Sequence, residues 1–487
     1  MGLRTSGLEA PNSTRDVSST KFDFIERRRR GHPPGLAVLF LTEMWEKFSF
    51  FGMRALQVYY MTKELHFSQG SASLIYGAYG AGVYLTPIAG GVISDRWLGR
   101  HRAIIIGSLV MALGHFMMAS EALFFPAMIT IAIGNGLFLP NLPSQVAALY
   151  AENDARRASA YNLYYMGINL GAFLAPLVCG TLGELYGWHW GFGAAGMGMC
   201  LGLAIYLAGG RWLPREAPRA ARKVEEAPND DAATRVGLLV AIGLAVVVYR
   251  MAYEQTGNTL AVWVDASVDR HLGGWTMPAT WVQSLNPMFV FALTPLLVAF
   301  WQRHESRRGA ARPLERMAVG AFVSALSWFA LAIVAHHDMA RHAPTSVAWV
   351  TAFFLLFTLA ELYILPVGLG LFASLAPARF RATTIAAWFL AAFAGNLLSG
   401  VLGTAWDRLT ADGFFALTGA AAACAGALLW TIGRLADPAA PHRSHGSLGQ
   451  HTSRDAISLS DSVSKHGAHP TLRVAKPHEI EGRLDDQ

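Results

Sequence analysis

Twelve separate apolar runs of about 20 residues or more dominate this chain, and an α-helix of that length crosses the roughly 30 Å hydrocarbon core of a bilayer. The runs cover residues 35–62, 73–94, 103–123, 126–150, 157–182, 189–212, 236–263, 280–301, 315–336, 346–374, 380–405 and 412–435. Of the 487 residues, 53% are hydrophobic and only 15% are charged, which argues against a soluble domain. The sequence therefore predicts an all-α, multi-pass membrane protein with twelve helices.

Lysine and arginine are distributed unequally between the loops on the two sides of these spans. The connections after spans two, four, six, eight and ten carry many, including Arg96, Arg156, Arg219, Arg307 and Arg379. The opposite connections carry only Lys63, Arg270, Arg341 and Arg408. Because positive loops stay on the cytoplasmic side, we expect both termini to be cytoplasmic and the protein to lie in the cell (inner) membrane.

The net charge of +6 and the run Arg27–Arg30 also suggest nucleic-acid binding. The basic residues recur in alternate loops and do not cover one face of a domain, so the sequence predicts a lipid bilayer as partner and no nucleic acid.

A polar segment divides the spans into two groups of six. We predict an N-terminal tail over residues 1–33, a six-helix bundle over 34–212, a cytoplasmic linker over 213–234, a second bundle over 235–436 and a polar tail over 437–487. Two six-helix halves with a substrate site between them are the plan of the major facilitator fold. The three cysteines lie in apolar runs and the tail histidines are irregularly spaced, so neither a disulfide nor a metal site is predicted.

Ionisable residues cluster on one face of span one, where each is costly unless it meets a cavity or a partner. Glu43, Glu46, Lys47, Phe50 and Arg54 follow helical spacings of three and four. Glu43 and Lys47 can neutralise each other in part as an i, i+4 pair. The alternative is a purely structural ion network that holds the bundle together.

Spans seven and ten each contain an acidic residue within an apolar run. Glu254 in span seven is the natural counter-ion for Arg54, which predicts a contact between the halves that can open and close. Glu361 in span ten has no obvious cation and is a candidate for protonation, although a structural protonated glutamate remains an alternative. Prolines interrupt neighbouring helices and are candidate gate positions: Pro140, Pro287 and Pro366.

Several motifs occur in order along the chain and together resemble the proton-coupled oligopeptide transporter (POT) family. Span one contains Glu43-Met-Trp-Glu46-Lys47-Phe-Ser-Phe-Phe-Gly52-Met-Arg54, similar to the family's ExxERFxYYG signature. The other motifs are Gly91-Val-Ile-Ser-Asp95-Arg96, Gly136-Leu-Phe-Leu-Pro140-Asn141, Gly167-Ile-Asn169-Leu-Gly171, Glu254-Gln255-Thr-Gly257, Gln283-Ser-Leu-Asn286-Pro287, Glu361-Leu-Tyr-Ile-Leu-Pro366 and Trp388-Phe389-Leu390.

The resemblance implies uptake of di- and tripeptides driven by protons, and it assigns roles to individual residues. Arg54 would bind the peptide carboxylate and pair with Glu254, and Glu361 would face the peptide amino group. The other substrate-binding candidates are Tyr84, Asn169, Gln283, Asn286 and Trp388. Glu43, Glu46, Lys47 and Glu361 are the proton-coupling candidates, with protons as the coupling ion, no cofactor and a monomeric protein.

The chain departs from the family pattern at the site itself. Leu139 stands where a lysine is usual, Phe50 and Phe51 replace tyrosines, Lys47 replaces an arginine, and Leu365 replaces a common polar residue. These changes predict a more apolar pocket and leave open an uncoupled facilitator or exporter of peptide-like or other amphipathic solutes. A non-transporting membrane sensor is a third alternative, and no motif suggests an enzyme.

Overall fold

The computed structural model describes residues 31–151, 154–214, 232–308, 312–375 and 381–436. The predicted tails, apart from residues 31–33, and most of the predicted linker lie outside these residues. The six tail histidines considered as metal ligands lie outside them too.

Within the described residues, the first half of the chain forms six helical spans. Span one is Pro34–Lys63, span two is Gln69–Ile93 with a π-helical turn at Ser94–Leu98, and span three is Arg100–Met117. Span four comprises the 3₁₀ turn Glu121–Leu123 and helices Phe124–Phe138 and Leu142–Ala148. Span five comprises Arg156–Ala175, Pro176–Gly180 and Thr181–Tyr186, and span six is Trp188–Ala208, followed by Gly210–Trp212.

The second half of the described chain also forms six spans. Span seven comprises Ala232–Tyr253, the 3₁₀ segment Glu254–Gly257 and Thr259–Ser267. Span eight comprises the 3₁₀ segment Ala279–Ser284 and Leu285–Arg308, span nine is Pro313–Ala340 and span ten is Val347–Leu375. Span eleven is Arg381–Gly403 with Thr404–Asp407, and span twelve is Ala411–Ala436.

Four two-residue strands lie in the loops after spans seven and nine. Strand β1 (Val268–Asp269) pairs in parallel with β4 (Thr345–Ser346), with Val268 opposite Thr345. Strand β2 (His271–Leu272) pairs antiparallel with β3 (Trp275–Thr276), which forms a small hairpin before span eight.

The twelve helical segments agree with the twelve apolar runs, with two differences. Span three ends at Met117 and not near residue 123, because Ser120 and Glu121 form the turn that begins span four. Span seven is interrupted at Glu254–Gly257, where the sequence predicted a continuous helix. In the part of the chain described, nine segments, spans four to twelve, are long and apolar enough on their own to cross a membrane.

The backbones of the two halves pack closely where spans two and eleven cross. A methyl group added at Gly77 would lie 2.6 Å from the carbonyl oxygen of Asn396 and 2.7 Å from the Cα of Gly400. Glycine is therefore required at this crossing, because any side chain would push the two helices apart.

Hydrogen bonds and ion pairs also join the halves at the bundle end where spans one, five and seven finish. Lys63 Nζ lies 2.6 Å from Asp265 Oδ2, and the Tyr59 hydroxyl donates to the Ala261 carbonyl at 2.9 Å. Glu184 accepts from the Ala279 and Thr280 backbone N–H groups at 2.9 and 2.8 Å. We call these three sets the closing contacts.

At the opposite end of the bundle, hydrogen bonds between Asp154 and Arg156 order the start of span five. Asp154 accepts hydrogen bonds from the backbone N–H and the guanidinium of Arg156, at distances of 2.7 to 3.1 Å. The side-chain hydrogen bonds from Arg156 hold the pKa of Asp154 at about 2, so this carboxylate is ionised at neutral pH.

Candidate functional site

A cavity of about 350 Å³ lies between the two halves, within the 300–1,000 Å³ range of small-molecule sites. Both halves contribute to its walls. Residues of the first half are Phe50, Phe51, Arg54, Tyr76, Tyr84, Tyr165, Ile168, Asn169, Ala172 and Pro176. Residues of the second half are Arg250, Tyr253, Glu254, Thr256, Gly257, Gln283, Asn286, Pro287, Phe354, Glu361 and Leu365.

One wall of the cavity holds two arginines on a single carboxylate. Arg54 of span one pairs through Nη2 with Glu254 Oε2, so the contact predicted between the halves is present. Arg250, one helical turn before Glu254, donates from Nη1 to Glu254 Oε1 at 3.0 Å. All three residues are buried, so this ion cluster lies in a low-dielectric environment where each charge needs a partner.

Tyrosines hold the two guanidinium groups in place. Arg54 Nε donates to the Tyr76 hydroxyl at 2.8 Å and its guanidinium lies 4.7 Å from the centre of the Tyr76 ring. Arg250 Nη2 donates to the Tyr84 hydroxyl at 3.1 Å, across the interface between the halves. Cation–π and hydrogen-bond contacts therefore fix both arginines at the cavity wall.

The interruption of span seven places Glu254 at the cavity. After Glu254–Gly257, Asn258 adopts φ −112° and ψ −100° before the helix resumes at Thr259. Side chains of this segment bind the neighbouring spans: Gln255 Nε2 donates to the Ser399 carbonyl in span eleven at 2.8 Å, and Asn258 Oδ1 accepts from the Ser73 hydroxyl in span two at 3.1 Å. Irregular backbone at membrane depth is tolerated where it is buried in protein or lines a cavity, and Glu254, Thr256 and Gly257 line this one.

Glu361 forms a second acidic position that is separate from Glu254. Its Oε2 accepts from Asn286 Nδ2 at 2.7 Å and its Oε1 accepts from the Tyr253 hydroxyl at 3.1 Å. Tyr253 also lies 5.7 Å, ring centre to guanidinium, from Arg250. Tyr253 therefore stands between the arginine wall and Glu361, and the cavity has charged groups of both signs at different places.

The proton-coupling candidates of span one form a separate cluster that does not line the cavity. Lys47 Nζ lies 2.7 Å from Glu46 Oε2 and 3.5 Å from Glu43 Oε1. Glu43 and Glu46 are each 1% exposed, and within the described residues Glu43 Oε2 and Glu46 Oε1 have no hydrogen-bond partner. Phe50 connects this cluster to the cavity, since its ring centre lies 5.8 Å from Lys47 Nζ and 5.9 Å from the Arg54 guanidinium.

Seven of the eight predicted substrate-binding residues line the cavity: Arg54, Tyr84, Asn169, Glu254, Gln283, Asn286 and Glu361. Trp388 does not, which corrects the predicted pocket wall: its ring packs in the core against Phe372, with ring centres 5.1 Å apart, and against Gly368. The apolar lining expected from Phe50, Phe51 and Leu365 is present, together with four tyrosines, of which only Tyr84 was selected from the sequence.

The proline positions have three different structural settings. Pro140 lies in the turn between the two helices of span four, and Pro366 lies inside span ten. Pro287 was expected to break span eight, yet it lies in the first turn of Leu285–Arg308, where a proline removes no helical hydrogen bond. Their role as gates stays a prediction.

Arg250, the second arginine that pairs with Glu254, was not among the residues selected from the sequence. Its signal was available, because an arginine four residues before Glu254 in an apolar run faces the same side of the helix. In the described part of the chain, no cluster of three or more His, Cys, Asp or Glu side chains could hold a metal ion.

The chain is similar in sequence to known membrane transporters. The sequence profile of the POT family matches residues 101–225 and 216–419. The chain is 31% identical to the "Uncharacterized transporter YclF" of Bacillus subtilis, over 82% of this chain and 93% of that protein. It is 31% identical to the "Peptide transporter YePEPT" of Yersinia enterocolitica, over 77% of this chain and 88% of that protein.

Solved structures show the same architecture. A crystal structure of a peptide transporter POT in complex with sulfate superposes with a TM-score of 0.75 at 30% identity, and covers 83% of this chain and 95% of that one. A POT family transporter in complex with 5-aminolevulinic acid gives a TM-score of 0.75 at 25% identity, with 83% and 97% covered. The all-α major facilitator fold is thereby confirmed, and this multi-pass membrane protein belongs to the POT family of transporters.

Proposed function

We propose that the protein is a secondary active transporter that carries di- and tripeptides together with protons by alternating access. One observation carries the proposal: the cavity holds arginines at one wall and a carboxylate, Glu361, at another. A peptide is a zwitterion whose two charged ends are separated by amides, and this arrangement offers an opposite charge to each end. The relative from Yersinia enterocolitica is named a peptide transporter, and one from Lactococcus lactis a di-/tripeptide transporter.

In the bound state we expect the peptide carboxylate to meet Arg54 and the peptide amino group to meet Glu361. Asn169, Gln283 and Asn286 carry amide groups at the wall between these ends. Amides donate and accept hydrogen bonds, so they can recognise a peptide backbone without distinguishing its side chains. Phe50, Phe51 and Leu365 provide apolar surface for those side chains.

A charge count in span one supports a proton site at Glu43 and Glu46. Two buried carboxylates share one ammonium group, that of Lys47, so one carboxylate is left without a counter-charge. A buried carboxylate without a cation is favoured in its protonated form. The Phe50 ring lies against both Lys47 and Arg54, so this side chain links the carboxylate cluster physically to the peptide site.

The closing contacts support alternating access. If both termini are cytoplasmic, as the loop charges predict, the closing contacts lie on the extracellular side. The structure then corresponds to a state closed to the outside, and their separation, together with Arg54–Glu254, would open the cavity outward. Transport of a peptide requires that these contacts form and break in each cycle.

Uptake of labelled Ala-Ala into proteoliposomes tests the proposal. With acid outside and neutral buffer inside, we expect saturable uptake above that without a gradient, and competition by unlabelled dipeptide. Glu46→Gln, which removes the titrating group and keeps its size, should abolish the gradient stimulation. Uptake that ignores the gradient in the wild type would exclude the symport part of the proposal.

A second candidate is an uncoupled facilitator or exporter, and Leu139 favours it. Leu139 is half-buried in span four and supplies no cation where the family usually has one. This candidate keeps the fold and the peptide site. It predicts equal rates of peptide transport into and out of the proteoliposomes, with no response to an imposed proton gradient.

A further inference from the structure

We propose that Asn396 of span eleven is a positioning residue of the transport site: its carboxamide holds Glu254 in place, so that Arg54 can leave this carboxylate for a ligand. Asn396 is not among the residues that line the cavity, so it acts through Glu254 and not by contact with a peptide. The proposal rests on the proposed function and assigns a role to a residue outside its peptide site.

Asn396 is a carboxamide buried within an apolar span. It is 0% exposed in the helix Arg381–Gly403. Burial of an amide is costly unless its polar atoms find partners. Its Nδ2 donates to the Ala392 carbonyl, one turn earlier in the same helix, at 2.9 Å, and to Glu254 Oε1 at 3.3 Å. The side chain is therefore anchored on its own helix and directs its NH₂ group at the ion cluster.

The oxygen of the carboxamide lies against the first half. A methyl group added at Gly80 of span two would lie 2.3 Å from Asn396 Oδ1. Within the described residues this oxygen is buried and has no hydrogen-bond partner. A carboxylate only accepts hydrogen bonds, so it is the NH₂ group that must face Glu254 and the oxygen that must face Gly80. The close crossing of spans two and eleven therefore fixes the direction in which the amide donates.

Packing alone does not explain an amide at this position. An apolar side chain of similar size would fill the space at Gly80 without burying an unpaired oxygen, which is costly. The hydrogen bond to Glu254 is the interaction that an apolar side chain could not supply. We therefore assign the amide to Glu254 and not to the crossing of the helices.

The donors of Glu254 are divided between the halves. Arg54 of the first half pairs with Oε2, whereas Arg250 and Asn396 of the second half both donate to Oε1. When a ligand takes Arg54, the second half alone must hold the carboxylate. Without Asn396 only Arg250 does so, the release of Arg54 costs more, and a ligand that competes for Arg54 binds more weakly. Loss of Asn396 should therefore lower the affinity for substrate.

Counterflow in proteoliposomes loaded with unlabelled Ala-Ala tests the proposal, with the KM and the maximal rate of labelled Ala-Ala uptake measured at equal pH on both sides. Asn396→Leu and Asn396→Ala both remove the donor but pack differently. We expect the same KM from both, about tenfold above that of the wild type, because a hydrogen bond to a charged group contributes at least that factor. Maximal rates should stay within about threefold of the wild type.

Gly80→Ala tests the same contact from the other half. The added methyl group displaces the carboxamide and should raise KM as well. In the Asn396→Ala protein the obstruction is absent, so adding Gly80→Ala should raise KM no further. Two controls should match the wild type: Gly82→Ala, where an added methyl group meets no atom within 4 Å, and Arg341→Gln, an exposed arginine in the loop after span nine.

Three results would overturn the proposal. The first is a wild-type KM in Asn396→Leu and Asn396→Ala. The second is a KM that differs between these two variants in step with their loss of thermal stability, which is the result of a purely structural side chain. The third is a double variant in which the effect of Gly80→Ala multiplies that of Asn396→Ala. If Gly80→Ala does not fold, the first two results still decide the question. No counterflow in the wild type above protein-free liposomes would instead mean that the proposed function fails.

Discussion

Glu184→Gln should shift the protein from the closed state toward a state in which the cavity is open at the bundle end that holds the closing contacts. Glu184 Oε1 accepts from the Thr280 N–H at 2.8 Å and the Thr280 hydroxyl at 2.7 Å, and Oε2 accepts from the Ala279 N–H at 2.9 Å. These N–H groups begin the 3₁₀ segment Ala279–Ser284, which has no side-chain cap from its own preceding residue. One carboxylate from span five therefore caps span eight across the interface between the halves.

The expected size of the shift follows from what glutamine retains. The carbonyl oxygen of glutamine can still accept from Thr280, but the charge is lost and an NH₂ group faces the Ala279 N–H. Hydrogen bonds to a charged group contribute about 1.5–3 kcal/mol each, and the lower value suits a half-buried carboxylate such as this one. A loss of about 1.4 kcal/mol changes the ratio of closed to open protein about tenfold.

Electron–electron double resonance between two spin labels measures this ratio. The labels replace Tyr186 at the end of span five and Leu272 in the hairpin before span eight, both exposed, in a protein whose native cysteines Cys179, Cys200 and Cys424 are changed to alanine. Glu184→Gln should increase the longer-distance population about tenfold relative to the shorter one. Glu64→Gln, an exposed glutamate near the same end, is the control. Identical distance distributions in Glu184→Gln and the control would refute the reasoning.

Three further predictions concern coupling and packing. Glu46→Gln should remove gradient stimulation of Ala-Ala uptake in proteoliposomes and leave peptide exchange at equal pH within about threefold of the wild type; unchanged stimulation would contradict the charge count with Lys47. Leu139→Lys should increase gradient stimulation in the same uptake assay if the missing cation limits coupling. Equal stimulation in Leu139→Lys and the wild type would exclude that role for the cation. Gly77→Ala should destabilise the fold by about 1–3 kcal/mol through overpacking against Asn396, measured as a lower midpoint of thermal unfolding. Gly82→Ala, where an added methyl group meets no atom within 4 Å, should keep or raise the midpoint because alanine is the better helix former, and equal midpoints for the two variants would contradict the close crossing.

Much of the fold was predictable because lipid imposes a simple rule on sequence. Each span must be apolar over about 20 residues and must satisfy its backbone internally, so composition alone locates helices such as Pro313–Ala340. The same rule predicted that Arg54 and Glu254 form an ion pair, because an isolated charge in a span is costly. Their contact is present in the structure.

The rest depended on contacts that no local pattern contains. Within the interruption at Glu254–Gly257, Gln255 donates to the Ser399 carbonyl, a partner 144 residues away in span eleven. Trp388 was placed at the pocket by resemblance, yet Phe372 and Gly368 bury its ring, and their position depends on how spans ten and eleven pack. Arg250 was overlooked because one carboxylate was paired with one arginine; the structure shows that Glu254 has two oxygens and serves two cations.

The central claim is that a peptide crosses the membrane through the cavity whose arginine wall contains Arg54. Counterflow tests it most directly, because proteoliposomes loaded with unlabelled Ala-Ala take up labelled Ala-Ala without any proton gradient. We predict rapid counterflow for the wild type and for Arg341→Gln, and a reduction of at least tenfold for Arg54→Gln in protein that is equally folded and equally reconstituted. Counterflow in Arg54→Gln at the wild-type rate, or none in the wild type above protein-free liposomes, would contradict the claim.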